Sequence, residues 1–217
     1  LKTFISPITA FFSSIGMNFL GEDPRSAGFG LFNAGGIIMM IIGITFSKKF
    51  ADKYGKRDAF IASLFISTLF IVAFILYPPK SVGLMFLSQI AHGFFYGIST
   101  PLLWAMIADV ADFSEWKNNR RATAIIFSAM MVGLKVGLSI GSSLVSSIIG
   151  HYGYISSEGS VNVIQPETVA TGARLLVSIY PAIPFFAACG LLMFYEINKK
   201  MENQIEHDLK ERRGSGK

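Results

Sequence analysis

The chain has 217 residues, 52% of them hydrophobic and only 15% charged, with 20 phenylalanines, one cysteine and a net charge of +5. That balance excludes an ordinary soluble domain, in which about a quarter of the residues carry charge. A lone cysteine, Cys189, excludes an internal disulfide.

Uncharged runs occupy residues 3–20, 26–47, 59–79, 81–108 and 175–195, and a further run, 122–157, is interrupted only by Lys135. Each is long enough, or nearly so, to cross a hydrocarbon core of ~30 Å as a helix. The reading is an all-α membrane protein with six transmembrane helices, residues 1–198, and a tail, residues 199–217. The first run opens at Leu1 without an initiator Met or the order of a signal peptide, so the chain reads as a piece of a longer protein.

In chain order, the turn "GEDPRSAG" follows the first run, "SKKFADKYGKRD" the second and "PPKS" the third. The connection "DVADFSEWKNNRR" leads into the fifth run, and a polar stretch at roughly 151–172, with "SSEGS" and "QPET", leads into the sixth. Pro181 and Pro184 predict a kink in that last span. Basic residues gather in alternate connections: Lys48, Lys49, Lys53, Lys56 and Arg57, then Lys117, Arg120 and Arg121, then six after Ile197. Arg25, Lys80 and Arg174 stand singly between them. This positive-inside pattern puts both ends of the chain in the cytoplasm and accounts for the pI without nucleic acid.

In the tail, Ile197, Met201, Ile205 and Leu209 recur every fourth residue, and Glu206 with Lys210 and Asp208 with Arg212 form i,i+4 acid-before-base pairs. The pattern predicts an amphipathic cytoplasmic helix on the membrane surface or on the inner loops.

Polar residues inside the spans are the candidates for function. At 100° per residue, Ser128, Lys135, Ser139, Ser142 and Ser146 share one face of the fifth span, while Gly133, Gly137 and Gly141 form a small-residue packing face on the other side. Lys135 lies near the midplane, where a charge costs about 2.5–3.5 kcal/mol on insertion scales and therefore faces a partner or water. Either a solute pathway or an acid outside this chain meets that need. In the fourth span Gln89, Tyr96, Thr100 and Trp104 lie along one side, with His92 at its margin and Pro101 to bend the helix. Amides and hydroxyls of this kind bond sugar hydroxyls, and an aromatic ring offers a flat surface to a pyranose. The same residues also serve as ordinary packing groups. Asn33, beside Gly35 and Gly36, and Ser13, Ser14 and Asn18 add polar atoms on the first two spans. No cluster of His, Cys and carboxylates has metal-ligand spacing and no nucleophile stands beside a base, so neither a metal site, a cofactor nor an enzyme is indicated.

Asp109, Asp112, Phe113, Glu115, Trp116, Lys117 and Arg121, followed by Phe127, Ser128 and Lys135, form a combination that resembles the glycoside, pentoside and hexuronide cation symporters of the major facilitator superfamily. "ADKYGKRDAF", "HYGY", "SIYPAI" and "EHDLKERR" extend the likeness along the chain. The resemblance implies that the six spans are the C-terminal bundle of a twelve-helix carrier. It also implies a sugar or glycoside bound between two bundles, near Lys135, Gln89, Tyr96, Thr100, Trp104 and Ser139. The N-terminal six-helix half would be the partner and would hold the site of the coupling cation, sodium or proton. Asp109, Asp112, Glu115, Arg120, Arg121 and Lys48 would form an inner gate, in a bacterial inner-membrane protein. Met130 and Met131 stand where melibiose-type members have a Gln-Thr pair. An exporter or other solute carrier of the same superfamily shares this fold, while a channel or membrane enzyme would be a different class.

Overall fold

A computed structural model describes residues 24–78, 81–155 and 165–214, with the side chains of 24–29 undescribed. The first predicted span, 3–20, with Ser13, Ser14 and Asn18, lies outside the described residues, as do Lys80 and the "SSEGS" stretch. Seven helices are described: α1 (Pro24–Tyr54), α2 (Lys56–Ala73), α3 (Val82–Asn118), α4 (Thr123–His151), α5 (Glu167–Val177), α6 (Ile179–Leu192) and α7 (Lys199–Gly214). By length and apolar composition, Gly30–Tyr54, Val82–Asn118, Thr123–His151 and Glu167–Leu192 are each fit to cross a membrane. The 18 residues of α2 begin with Lys56, Arg57 and Asp58 and are uncharged thereafter.

Two predicted turns are helix instead. The basic segment "SKKFADKY" continues α1 to Tyr54, and the whole connection to α2 is Gly55, at φ 89°. Likewise "DVADFSEWKN" belongs to α3, and its turn shrinks to residues 119–122, opened by Asn119 in the left-handed region at φ 51°. Neither segment holds a helix-breaking residue before its Gly or Asn, so the helices run past their apolar stretch. Arg174, read as part of a connection, lies in the last turn of α5. There its Nη2 donates to the carbonyls of Ile75 and Tyr77 at 2.6 and 2.5 Å, closing the free end of α2.

The predicted kink of the last span is a break at Ser178, with φ −114° and ψ −72°, between α5 and α6. Pro181 sits in the first turn of α6 and Pro184 inside it. Each lacks the N–H that would bond a carbonyl four residues back, so the ladder is weakest where α5 ends.

The tightest packing joins α1 to α3. A Cβ on Gly93 would collide with the carbonyl oxygen of Gly36, one on Gly97 with that of Met40, and one on Gly43 with that of Phe94. Only glycine permits such backbone contact, the usual device for helix association in lipid. Around this seam Ala59, Phe60, Leu64, Ile98, Leu102, Met106 and Cys189 form a core where α2, α3 and α6 meet. By contrast, Gly133, Gly137 and Gly141, expected to pack, have nothing within 4 Å of an added Cβ among the described residues. Helix α4 buries none of its residues.

Candidate functional site

Along the membrane-spanning part, the predicted polar residues are each placed differently. Gln89 lies over Gly36 of α1, with its Nε2 2.7 Å from where a Cβ would stand. Tyr96 stacks on His92 at 5.6 Å between ring centroids and leans on Phe185 of α6 at 6.3 Å. His92 shares a 2.7 Å hydrogen bond between its Nδ1 and Ser67 Oγ of α2, which fits the reading of a bonded core residue. Thr100 Oγ1 donates to the Tyr96 carbonyl at 3.0 Å, and Ser99 Oγ to the same carbonyl at 2.8 Å. Trp104 keeps 39% of its surface exposed.

On α4, Lys135 is exposed, and its Nζ forms no hydrogen bond or ion pair among the described residues. Ser139, Ser142, Ser143 and Ser146 all donate to carbonyls four residues back, at 2.8–3.1 Å. Their hydroxyl protons are thereby used, but each oxygen keeps acceptor capacity. The middle of α4 is thus exposed on all sides among the described residues, its polar face included, with an unpaired ammonium at its centre.

The charged end of the bundle is more densely connected than the sequence indicated. Lys56, at the start of α2, bridges α3 and α7: its Nζ is 2.7 Å from Asp109 Oδ1 and 2.9 Å from Glu202 Oε1. Burial lowers the pKa of Lys56, but the hydrogen bonds and charges of those two carboxylates outweigh it and hold the amine above the ordinary lysine value. Glu115 receives Arg213 of α7 at 2.8 Å, while Arg121 stands 3.6 Å from Glu115 and 3.5 Å from Asp112. Of the residues grouped as an inner gate, Asp109, Asp112, Glu115 and Arg121 therefore lie in one network. Arg120 enters only through its carbonyl, which accepts from Ser114 Oγ at 3.3 Å, and Lys48 is exposed beside Lys49, Asp52 and Lys53.

Helix α7 completes that network, resting on the end of α3. Ile197, Ile205 and Leu209 are buried against Val110, Phe113, Trp116 and Tyr195. Trp116 Nε1 donates to Asp208 at 2.8 Å, and Arg212 Nη1 donates to the Trp116 carbonyl and to Asn119 Oδ1 at 3.1 and 2.9 Å. The pair Glu206–Lys210 forms as the spacing predicts, at 2.6 Å, and Asp208 and Arg212 also reach Trp116 and Asn119 at the end of α3. A cavity of about 380 Å³ separates the tail from α3, lined by Lys56, Asp109, Asp112, Glu202, Lys210 and Arg213 among others. Sequence reasoning missed Lys56 and the α7 charges as members of this site. The four-residue apolar stripe of the tail was the signal, since a helix with one buried face must present its flanking charges to whatever it covers.

A family model described as MFS/sugar transport protein matches residues 18–199. A protein of Escherichia coli (strain K12) provisionally named glycoside/cation symporter YagG is 25% identical over 178 residues, covering 80% of this chain and 37% of its own. Symporter YjmB of Bacillus subtilis (strain 168) is 26% identical over 77% of this chain and 36% of its own. The inner membrane symporter YicJ of Escherichia coli (strain K12) is 26% identical over 78% of this chain and 35% of its own. The chain thus spans little more than a third of the length of these relatives, all of them carriers by name and not enzymes. With its apolar membrane-length helices and a match over residues 18–199, this chain is an integral membrane protein that belongs to the MFS/sugar transport family.

Proposed function

We propose that this chain is the C-terminal six-helix half of a twelve-helix carrier that moves a sugar or glycoside together with a cation, sodium or proton, by alternating access. The observation that carries the reading is Lys135. An ammonium in the middle of a membrane-length apolar helix, exposed and unpaired among the described residues, needs a solute or an acidic group on a facing surface. A second bundle across a pathway supplies both, and the glycoside/cation symporter name of one relative supports a glycoside as the solute. In this reading Lys135 donates hydrogen bonds to the sugar or to an acid opposite, with Ser139 oxygens as acceptors beside it. Gln89, Tyr96, Thr100 and Trp104 line the approach on α3, residues 199–217 form the cytoplasmic tail, and the charged end of the bundle faces the cytoplasm. The coupling cation binds in the other half.

The test uses the complete gene product in vesicles: sugar-driven sodium and proton fluxes across a panel of glycosides, with and without Lys135→Ala. Flux with one sugar and one ion, lost in the variant, is the expected result. Absence of flux with every sugar would remove the sugar-symport reading, and unchanged flux in the variant would remove Lys135 from the mechanism.

A further inference from the structure

Two arginines reach for one pair of carboxylates. Arg213, in the last turn of α7, sets Nη2 2.8 Å and Nε 3.4 Å from the two oxygens of Glu115, and Nη2 3.8 Å from Asp112 Oδ1. Arg121, in the turn between α3 and α4, stands 3.6 Å from the same Glu115 Oε2 and 3.5 Å from the same Asp112 Oδ1. Those separations are roughly 0.6–0.9 Å beyond a good charge-assisted hydrogen bond. Arg121 Nε donates instead to Thr123 Oγ1, on the first residue of α4, at 3.1 Å. Asp112 Oδ1 is closed off from solvent and has no hydrogen-bond donor among the described residues, although two guanidinium groups lie within 4 Å of it.

We propose that the tail helix α7 and the base of α4 compete for the Asp112 and Glu115 carboxylates, so that docking of the tail sets the position of α4. With the tail docked, Arg213 holds Glu115 in a two-pronged grip and keeps Arg121 out of hydrogen-bond reach. When the tail leaves, Arg121 closes on the freed oxygens, satisfies Asp112 and draws the first turn of α4 toward the end of α3. The connection is short enough to transmit this pull, since only residues 119–122 separate the two helices. The tail also grips that connection directly, through Arg212 on the Trp116 carbonyl and the Asn119 side chain. Because α4 buries no residue against the described bundle, its placement depends on how its ends are held. The helix so placed carries Lys135. That last link to transport rests on the carrier reading, whereas the competition itself does not.

Amide hydrogen exchange on the full carrier in lipid nanodiscs tests it, comparing segments 201–213 and 119–125 in wild type, Arg121→Gln and Arg213→Gln. Competition predicts that Arg121→Gln slows exchange in the tail, and that Arg213→Gln speeds the tail while slowing 119–125. The changes should be roughly two- to five-fold, the range that exposed ion pairs supply. A cooperative network predicts the opposite sign for Arg121→Gln, with faster exchange in both segments, and that result would overturn the proposal, as would no change in either variant. Should Arg213→Gln fail to accumulate, Arg213→Lys keeps the charge but loses the fork and must shift both segments in the same directions. The two readings fail separately. A carrier that shows the exchange pattern but moves no sugar disproves symport alone, and one that moves sugar without the pattern disproves competition alone.

Discussion

Gly93 of α3 rests directly on Gly36 of α1, leaving no room for a side chain between the two backbones. The contact is repeated along the seam at Gly97 and Gly43. A methyl group there must push backbone against backbone, which has no rotamer to escape into. Gly97→Ala should therefore destabilise the bundle by about 1–3 kcal/mol, the usual range for overpacking, and Gly97→Leu should abolish folding. Gly190→Ala, where an added Cβ meets nothing, is the control and should fall within about ±0.5 kcal/mol. Thermal unfolding of the purified carrier in detergent reads both.

Lys56 offers a second test. It is shared between Asp109 and Glu202, with about a quarter of its side chain exposed and Asp109 only 14% exposed. Removing the amine leaves two carboxylates facing each other in a half-buried site. The loss expected for Lys56→Ala is about 1–3 kcal/mol, between the values for exposed and buried pairs. Asp109→Asn in the Lys56→Ala background should cost less than it does alone, and a double-mutant cycle showing simple additivity would contradict the bridge.

Gly55 is required twice over. Its φ of 89° suits glycine, and a Cβ there would stand 3.1 Å from Cβ of Lys199, whose amine donates to the carbonyls of Asp52 and Lys53 at the end of α1. Gly55→Ala should cost about 1–3 kcal/mol from the backbone alone, because φ 89° with ψ 152° falls in a region that side chains essentially exclude. It should also raise protease cleavage within 199–214, because the first turn of the tail is displaced. Unchanged cleavage would show that the two ends are not coupled.

Leu209 is the deepest apolar anchor at the far end of the tail, 4% exposed against Phe113 and Trp116. Leu209→Ala should cost about 2–3 kcal/mol, the lower part of the range for buried leucines, because the site lies at a helix end where neighbours relax. The loss should appear as local opening of α7 in hydrogen exchange, with the α1–α3 seam unaffected.

Four of the membrane-length helices, the helical class and the amphipathic tail helix were legible because each is written in a local pattern: long uncharged runs in one case, a four-residue stripe in the other. Which glycines pack was not. Gly133, Gly137 and Gly141 carry the more regular spacing, yet among the described residues the backbone-on-backbone contacts belong to Gly36, Gly43, Gly93 and Gly97, because packing depends on which helix lies opposite. The ends of α1 and α3 were misread for a related reason. Charge marks where a helix leaves the membrane, but a helix stops only where its backbone is turned, at Gly55 and Asn119. The ion pairs of Lys56 and Arg213 join residues far apart in sequence, and no spacing rule reaches across that distance.

Helix α3 has 37 residues and is therefore about 55 Å long, far more than a ~30 Å hydrocarbon core requires. Pro101 lies near its middle, and Asn118 stands about 26 Å farther along the rod. Around a proline the helix bends with little resistance, and a bend of about 10° would swing the far tip by roughly 4–5 Å at that radius. The protruding segment thus works as a pointer: small angular changes beside Tyr96 and Trp104 in the membrane become displacements of a full hydrogen-bond length or more at Trp116, where the tail helix is seated.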